Sequence, residues 1–229
     1  ASYDVSNYHR PSVTVDVVIF TLRGDRLEVL LVQRKQWPYA GMWAIPGGFV
    51  HMDESLETAA RRELAEETGV DDPDIYLEQL YTFGDPARDP RTRVITVAYF
   101  ALISTETLRL HAGSDAAAAD WFSAYDPSEL AFDHCQILDY AIQRLRYKIE
   151  YTAAAFQLLP EAFTLTELQD AYELILKEDL DKRNFRRKVL SAEVLEETPH
   201  VRTGDHRPAQ LYRFRDDAVA EIKARRLFP

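Results

Sequence analysis

The sequence predicts an α/β/α sandwich, followed by a winged helix-turn-helix domain. Two observations predict the sandwich. β-Branched segments recur between residues 13 and 103, and an acidic helix and a later amphipathic helix accompany them. A third observation, the order helix, helix and hairpin after residue 151, predicts the winged helix.

The first predicted strands form a hairpin. Residues 13–22 are β-branched and partly alternating, residues 27–33 are mostly aliphatic, and Arg23-Gly24-Asp25 between them has the composition of a turn. Two more strands are predicted at residues 75–83 and 93–103, on the far side of the acidic helix.

A later amphipathic helix is predicted to close the first domain, over residues 132–150. Its apolar stripe consists of Ile137, Leu138, Ala141, Ile142 and Leu145. We therefore place the sandwich in residues 1–150 and the winged helix in residues 151–229, since 229 residues exceed the usual size of one domain.

The second domain has its own succession of elements. Residues 163–176 carry a hydroxyl cap and an apolar stripe, and a second helix is expected to begin at an aspartate cap near Asp181. We expect Phe185, Val189 and Leu190 to face a core. The cations expected to point outward are Lys182, Arg183, Arg186, Arg187 and Lys188. Two short strands around Gly204 would form the wing.

Composition narrows the functional classes. The net charge of -11 excludes a wholly basic nucleic-acid coat, but the acid is concentrated in residues 1–150, at -10, and residues 151–229 carry only -1. Cys135 is the only cysteine, which excludes an internal disulfide and fits a reducing compartment. No apolar run approaches the roughly 20 residues that span a bilayer, and no signal peptide is visible, so we expect a soluble cytoplasmic protein.

Three carboxylates indicate a metal site. Glu63, Glu66 and Glu67 are related as i, i+3 and i+4, so a helix places them on one face. Such like charges are tolerated either as a solvated face or because a hard divalent cation such as Mg²⁺ or Mn²⁺ neutralises them.

Residues 48–70 resemble the signature of the Nudix hydrolases, G-x5-E-x7-R-E-U-x-E-E-x-G-U with U aliphatic, at every fixed position. The resemblance implies a mixed sheet covered on both faces and a loop-helix-loop in which the three glutamates bind metal. It also implies that Arg62 pairs with a glutamate and holds it in place. Gly48 and Gly69 would allow the turns and a close approach of backbone to metal and phosphate.

The activity implied by this resemblance is hydrolysis of a nucleoside diphosphate joined to another group, such as ADP-ribose. Metal ions would lower the pKa of a bound water that attacks phosphorus. Glu54 and the three glutamates are all candidates for the general base, and the sequence does not choose among them. The candidate substrate contacts are Arg34, Gly48, Phe83, Arg88, Arg93 and His134. Phe83 also suits a core position, and His134 suits a structural role equally well.

The basic helix of the second domain predicts DNA binding. DNA carries one negative charge per ~1.7 Å of axis, so a local cluster of cations can bind it beside an acidic neighbour. Lys182, Arg183, Arg186 and Arg187 are candidates for phosphate or guanine contacts, Asn184 for adenine, and Arg202 and Arg207 for wing contacts. The alternative is a solubilising face, or a surface that pairs with the acidic domain of a partner subunit.

Together the two halves resemble the Nudix-related transcriptional regulators of NAD metabolism. The similarity depends on the Nudix signature, on residues 81–91 and 130–134, and on residues 180–187 and 207–214. It implies a homodimeric repressor that binds ADP-ribose or a related nucleotide and operator DNA. Many members of that family have eroded signatures, whereas the signature here is intact.

Three hypotheses follow from these features. The first is a ligand-responsive DNA-binding regulator, with or without residual hydrolysis. The second is a working Nudix ADP-ribose pyrophosphatase whose C-terminal domain serves dimerisation or substrate coverage. The third is a nucleotide-binding adaptor that acts on another protein.

Overall fold

The computed structural model describes residues 9–69, 71, 73, 75–105, 116–151, 153–203 and 208–215. Within those ranges, no helix has both the length and the apolar character needed to cross a membrane.

Seven strands form the first sheet, and β1 lies at its centre. The strands are β1 (Ser12–Arg23), β2 (Arg26–Arg34), β3 (Trp43–Ala44), β4 (Gly47–Phe49), β5 (Tyr76–Phe83), β6 (Val94–Leu102) and β7 (Ala116–Ser123). Their order is β3-β2-β1-β6-β5, with β4 paired to β1 and β7 paired to β2. Because β1 runs parallel to β6 and antiparallel to β2 and β4, the sheet is mixed, as predicted.

Alternation along β1 covers both faces of the sheet. Val15, Val17 and Ile19 pack against helix α1 (Leu56–Thr68), whereas Val18 and Phe20 belong to the cluster that contains helix α2 (His134–Tyr151). Side chains in a strand point alternately to its two sides, so one strand supplies both cores. The predicted α/β/α sandwich is confirmed.

Strand β7 was not predicted from the sequence. Residues 116–119 are all alanine, a residue depleted in strands, so local composition gave no signal. The segment is a strand because it pairs antiparallel with β2 from Glu28↔Ser123 to Arg34↔Ala116. This is a tertiary effect that a window of sequence does not contain.

The C-terminal part is a winged helix-turn-helix, as predicted. Helices α3 (Leu165–Leu176) and α4 (Lys182–Ser191) precede the wing strands β9 (Leu195–Arg202) and β10 (Ala209–Phe214), and β8 (Phe163–Thr164) completes a sheet of order β8-β10-β9. Thr164 caps α3 in a capping box with Glu167, which satisfies two backbone donors.

Helix α4 departs from the prediction at two residues. Asp181 caps it as expected, and Phe185 and Val189 are buried, but Leu190 is 46% exposed. Phe185 and Val189 are four residues apart and share a face, whereas Leu190 is rotated about 100° from Val189. Arg186 also turns inward and donates to the Thr166 hydroxyl at 3.1 Å instead of pointing to solvent.

One continuous apolar cluster joins the two parts of the chain. It runs from the α2 side of the sheet, through α2 and a short 3-10 helix (Ala153–Leu158), to buried side chains of α3 and α4 such as Leu168 and Phe185. The winged helix is therefore packed on the sandwich and shares its core.

A pair of leucine substitutions tests this shared core. All three tryptophans, Trp37, Trp43 and Trp121, lie in the first part of the chain, so their fluorescence reports unfolding of the sandwich. We expect Leu168→Ala in α3, where Leu168 is fully buried, to lower the free energy of unfolding read by tryptophan fluorescence in urea by about 2–5 kcal/mol. Leu190→Ala is the exposed control, with a change within about 0.5 kcal/mol. An unchanged tryptophan transition in Leu168→Ala would show that the two parts unfold independently.

Candidate functional site

A cavity of about 530 Å³ opens beside the start of β1 and the C-terminal half of α1. It has a carboxylate end, formed by α1, and an arginine-rich end, formed by the end of β2 and the loops before β6 and α2. Most of the charged and aromatic side chains in its lining come from these two ends: Asp16, Arg34, Phe49, Arg62, Glu63, Glu66, Glu67, Arg88, Asp89, Arg91, Phe132 and His134.

Helix α1 brings the three predicted glutamates to the carboxylate end. Ser55 caps the helix by accepting from the Thr58 amide at 3.1 Å, and Gly69 ends it with a φ of 70°. Glu63, Glu66 and Glu67 all line the cavity, so the spacing i, i+3, i+4 does place them on one side.

Gly48 allows Glu63 to lie against the backbone. A Cβ at Gly48 would lie 2.3 Å from Glu63 Oε1, a distance that no side chain tolerates. Glu63 is only 7% exposed, and this burial raises its pKa against the opposing effect of Arg62. A larger residue at position 48 would therefore displace Glu63, the most buried of the three glutamates.

Arg62 links the carboxylates at this end. Its guanidinium donates to Glu54 at 2.8 and 3.1 Å, to Glu63 at 2.7 Å and to Glu66 at 3.5 Å. The hydrogen bonds from Arg62, with that from the His51 amide, lower the pKa of Glu54 to about 2. A general base works best with a pKa near the operating pH, so in this arrangement Glu54 is better suited to orient Arg62 than to accept a proton.

The donor chemistry of this end fits a hard divalent cation. Three carboxylates line one side of the cavity, and Glu63 lies directly against the bare backbone at Gly48. In the described residues, no three acidic, histidine or cysteine side chains are already grouped closely enough to hold an ion. Glu63 and Glu66 face Arg62 instead, so a cation would take these carboxylates over from the guanidinium.

Phe132 lies at the centre of the arginine-rich end. The guanidinium carbons of Arg34 and Arg91 lie 4.7 and 5.6 Å from its ring centre, and Tyr39 packs edge-on at 4.8 Å. Burial and the charge of Arg91 lower the pKa of Arg34, while Asp89 pairs with Arg91 at 2.7 Å. An aromatic ring flanked by cations suits a stacked base or an anionic group.

Sequence reasoning did not single out Arg91 or Phe132. Both lie in segments that carried the family resemblance, residues 81–91 and 130–134, but neither had a spacing that distinguished it from a surface arginine or a core phenylalanine. Their proximity arises only when the two loops meet at the cavity.

Arg88 and His134 form part of the cavity wall. The Arg88 side chain is 4% exposed and donates to Asp133 at 2.7 and 2.9 Å, with Asp16 3.5 Å away. His134 Nδ1 accepts from the Ile45 amide at 2.9 Å, and burial lowers the pKa of His134, which keeps the ring neutral. Through these contacts Arg88 joins the loop before β6 to the start of α2, and His134 joins the start of α2 to the segment after β3.

Two of the candidate substrate contacts do not line the cavity. Phe83 packs on the α2 side of the sheet with Tyr81 and Tyr140, at ring distances of 5.4 and 6.1 Å. Arg93 is exposed, and within the described part of the chain its side chain donates to the Val94 carbonyl at 3.4 Å. Strand β5 therefore presents Phe83 to the face of the sheet opposite α1.

The candidate DNA contacts fall into two groups. Lys182, Arg183 and Arg187 are exposed on α4, and Arg187 donates to the Asn184 side chain at 2.6 Å. Arg186 and Arg202 are tied to the domain itself, the first by Thr166 and the second by Glu167 and the Ala162 carbonyl. Arg207 lies outside the described residues.

Family models match both domains of the chain. A model of the NUDIX domain matches residues 11–145, and a model of the NrtR DNA-binding winged helix domain matches residues 155–214. The chain is 43% identical to the ADPR responsive transcriptional repressor NtrR of Acinetobacter baylyi, over 93% of this chain and 86% of the relative.

Two solved structures are similar as well. Shewanella oneidensis NrtR complexed with a 27mer DNA is 41% identical, with a TM-score of 0.80 over 91% of this chain and 95% of that one. The NUDIX domain of the same protein complexed with ADP ribose is 41% identical, with a TM-score of 0.56 over 62% of this chain and 94% of that one. The chain therefore belongs to the Nudix-related transcriptional regulators, in which a NUDIX domain precedes an NrtR winged helix.

Proposed function

We propose that the chain is a homodimeric transcriptional repressor that binds ADP-ribose in the NUDIX cavity and operator DNA through the winged helix. The observation that carries this proposal is the presence, on one continuous core, of a cavity with a carboxylate end and an exposed basic helix. Similarity to the ADPR responsive repressor of Acinetobacter baylyi, and to Shewanella oneidensis NrtR in complexes with DNA and with ADP ribose, supports the proposal.

In the proposed complex, the diphosphate lies at the carboxylate end. Glu63, Glu66 and Glu67 would hold Mg²⁺ or Mn²⁺, and the backbone at Gly48 approaches the phosphates. Arg34, Arg91 and Phe132 would bind the far end of the nucleotide by charge and stacking. Arg88 and His134 act on the ligand indirectly, since they fix the loops that carry Arg91 and Phe132.

On the DNA side, helix α4 enters the major groove. Arg183 and Arg187 are the exposed cations best placed for phosphates or guanine edges, with Lys182 at the helix start. Asn184 is held by Arg187 in this structure, so an adenine contact by its amide requires that pair to open.

Hydrolysis of ADP-ribose is a second candidate function, favoured by the intact signature and by the three glutamates in the cavity. A bound divalent cation supplies Lewis-acid activation of water and neutralises the diphosphate. The chain's own part is to orient the carboxylates through Arg62 and to keep the nucleotide in place. Among the candidate bases, Glu54 is held by Arg62 and the His51 amide, whose hydrogen bonds lower its pKa and favour a role in orienting Arg62.

A matched pair of phenylalanine variants tests the cavity. Base stacking on an aromatic ring contributes ~1–3 kcal/mol, so we expect Phe132→Ala to weaken ADP-ribose binding by about 5- to 150-fold in calorimetry with Mg²⁺. Phe83→Ala, which removes the same side chain outside the cavity, should bind within about twofold of the unmodified protein. Equal losses in both variants would contradict the proposed ligand position.

The basic helix is tested by its salt dependence. We expect Arg183→Ala with Arg187→Ala to weaken binding to a duplex selected by the unmodified protein and to reduce the slope of log K against log salt by about 2, since each lost phosphate contact removes about 1. The control is Arg23→Ala with Arg26→Ala, which removes two exposed cations beside the β1–β2 turn. An unchanged slope in the α4 variant would exclude this helix as the DNA reader.

Turnover distinguishes the second function. If the chain hydrolyses ADP-ribose, AMP appears with Mg²⁺ in the unmodified protein, and Glu66→Gln abolishes its appearance because a neutral amide binds a hard cation poorly. If the unmodified protein forms no AMP, hydrolysis is excluded and the cavity only binds the nucleotide.

A further inference from the structure

Two side chains of the NUDIX domain hold the C-terminal end of α3. The Tyr125 hydroxyl lies 2.6 Å from the Ile175 carbonyl oxygen and 3.1 Å from that of Leu174, and Arg146 Nε donates to the Ile175 carbonyl at 3.0 Å. The last carbonyls of a helix have no partner within the helix, and a cation there also interacts favourably with the helix dipole. Tyr125 and Arg146 thus supply partners for two of the last carbonyls of α3, beside the left-handed cap residue Lys177.

Arg146 is connected to the cavity through α2. That helix begins at His134, which binds the Ile45 amide in the cavity wall, and the preceding Asp133 is held by Arg88. Twelve residues of α-helix separate His134 from Arg146, a distance of about 18 Å. Ile137, Leu138, Ala141 and Leu145 are buried along this stretch, so the helix is packed against the core over the whole distance between the cavity and Arg146.

Tyr125 has a parallel connection through the sheet. It follows β7, whose pairing with β2 extends from Arg34↔Ala116 at the cavity to Glu28↔Ser123 next to Tyr125. The Tyr125 ring also lies between two cations, with Arg146 at 5.3 Å and Lys177 at 4.5 Å from its centre. Both routes from the cavity therefore end at one place, the last turn of α3.

On its other side, α3 fixes the position of α4. Glu173 accepts from the Leu180 amide at 2.8 Å, and Gln169 donates to the Leu180 carbonyl at 2.9 Å, directly before the Asp181 cap. The rings of Tyr172 and Phe185 pack edge to face at 5.5 Å in the core between the helices. A displacement of α3 therefore carries α4 with it.

We propose that Tyr125 and Arg146 are positioning residues that couple the nucleotide cavity to the DNA-reading helix through the carbonyls of Leu174 and Ile175. The inference rests on the proposed function, and it adds the contact through which ligand and DNA affect each other. A phenolic hydroxyl has one hydrogen, so Tyr125 donates fully to only one of its two carbonyl neighbours at a time. The contact therefore has two alternative arrangements that a small movement of α2 or β7 can exchange.

The test is the coupling factor, which is the ratio of DNA affinities without and with saturating ADP-ribose and Mg²⁺. It is measured by fluorescence anisotropy with the duplex selected by the unmodified protein. We expect the double variant Tyr125→Phe, Arg146→Met to bind ADP-ribose within about twofold of the unmodified protein, while its coupling factor falls from the usual range of about 5–150 towards 1. Both substitutions keep the volume of the side chain and remove its donor.

Arg144→Met is the matched control. Arg144 lies on the same helix and also reaches a carbonyl, that of Leu80 at 3.4 Å. Its other partners, Glu78 and the Tyr140 ring, also belong to the NUDIX domain. Its variant should keep the full coupling factor. Arg146→Lys, which retains a cationic donor, should recover part of the coupling lost in Arg146→Met.

An unchanged coupling factor in the double variant would overturn the proposal, as would an equal loss in Arg144→Met. Should the double variant fail to fold, Tyr125→Phe alone removes only the hydroxyl, and an unchanged factor there would overturn the assignment equally. Failure of the proposed function is distinguishable, because the unmodified protein would then show no ADP-ribose binding or no effect of ADP-ribose on DNA affinity.

Discussion

Burial of one side of α2 against the sheet is the constraint on which the rest of the molecule depends. The helix starts in the wall of the cavity, and its Arg146 contacts the end of α3. Its apolar side belongs to a cluster that includes both the sheet and the winged helix. Without that shared core, the nucleotide cavity and the basic helix would be independent modules joined by a short connection. With it, neither can shift without strain on the other.

The cavity itself is organised around opposite charges. At one end Arg62 neutralises Glu54, Glu63 and Glu66, and at the other Arg34 and Arg91 flank Phe132 near Asp89. In the proposed complex, a nucleotide diphosphate with its cation would complement both ends, because the cation would replace Arg62 as the partner of the glutamates and the remainder of the ligand would meet the arginines. Arg62 therefore stabilises the acidic face of α1 in the protein shown here.

The parts of this structure that could be predicted are those specified by local spacing. The interval between Glu63, Glu66 and Glu67 placed them on one face, and Asp181 fixed the start of α4. What could not be predicted depends on tertiary contacts. The alanines of β7 form a strand only because β2 pairs with them, Phe83 proved to face away from the cavity, and Phe132 meets Arg91 only after two loops converge.

The proposed coupling free energy links one nucleotide site to one DNA site. Its most direct test is reciprocity, measured as the ADP-ribose affinity of the protein alone and of the same protein saturated with duplex. The account predicts that the two affinities differ by the same factor by which saturating ADP-ribose changes DNA affinity. Equal ADP-ribose affinities with and without DNA would contradict it.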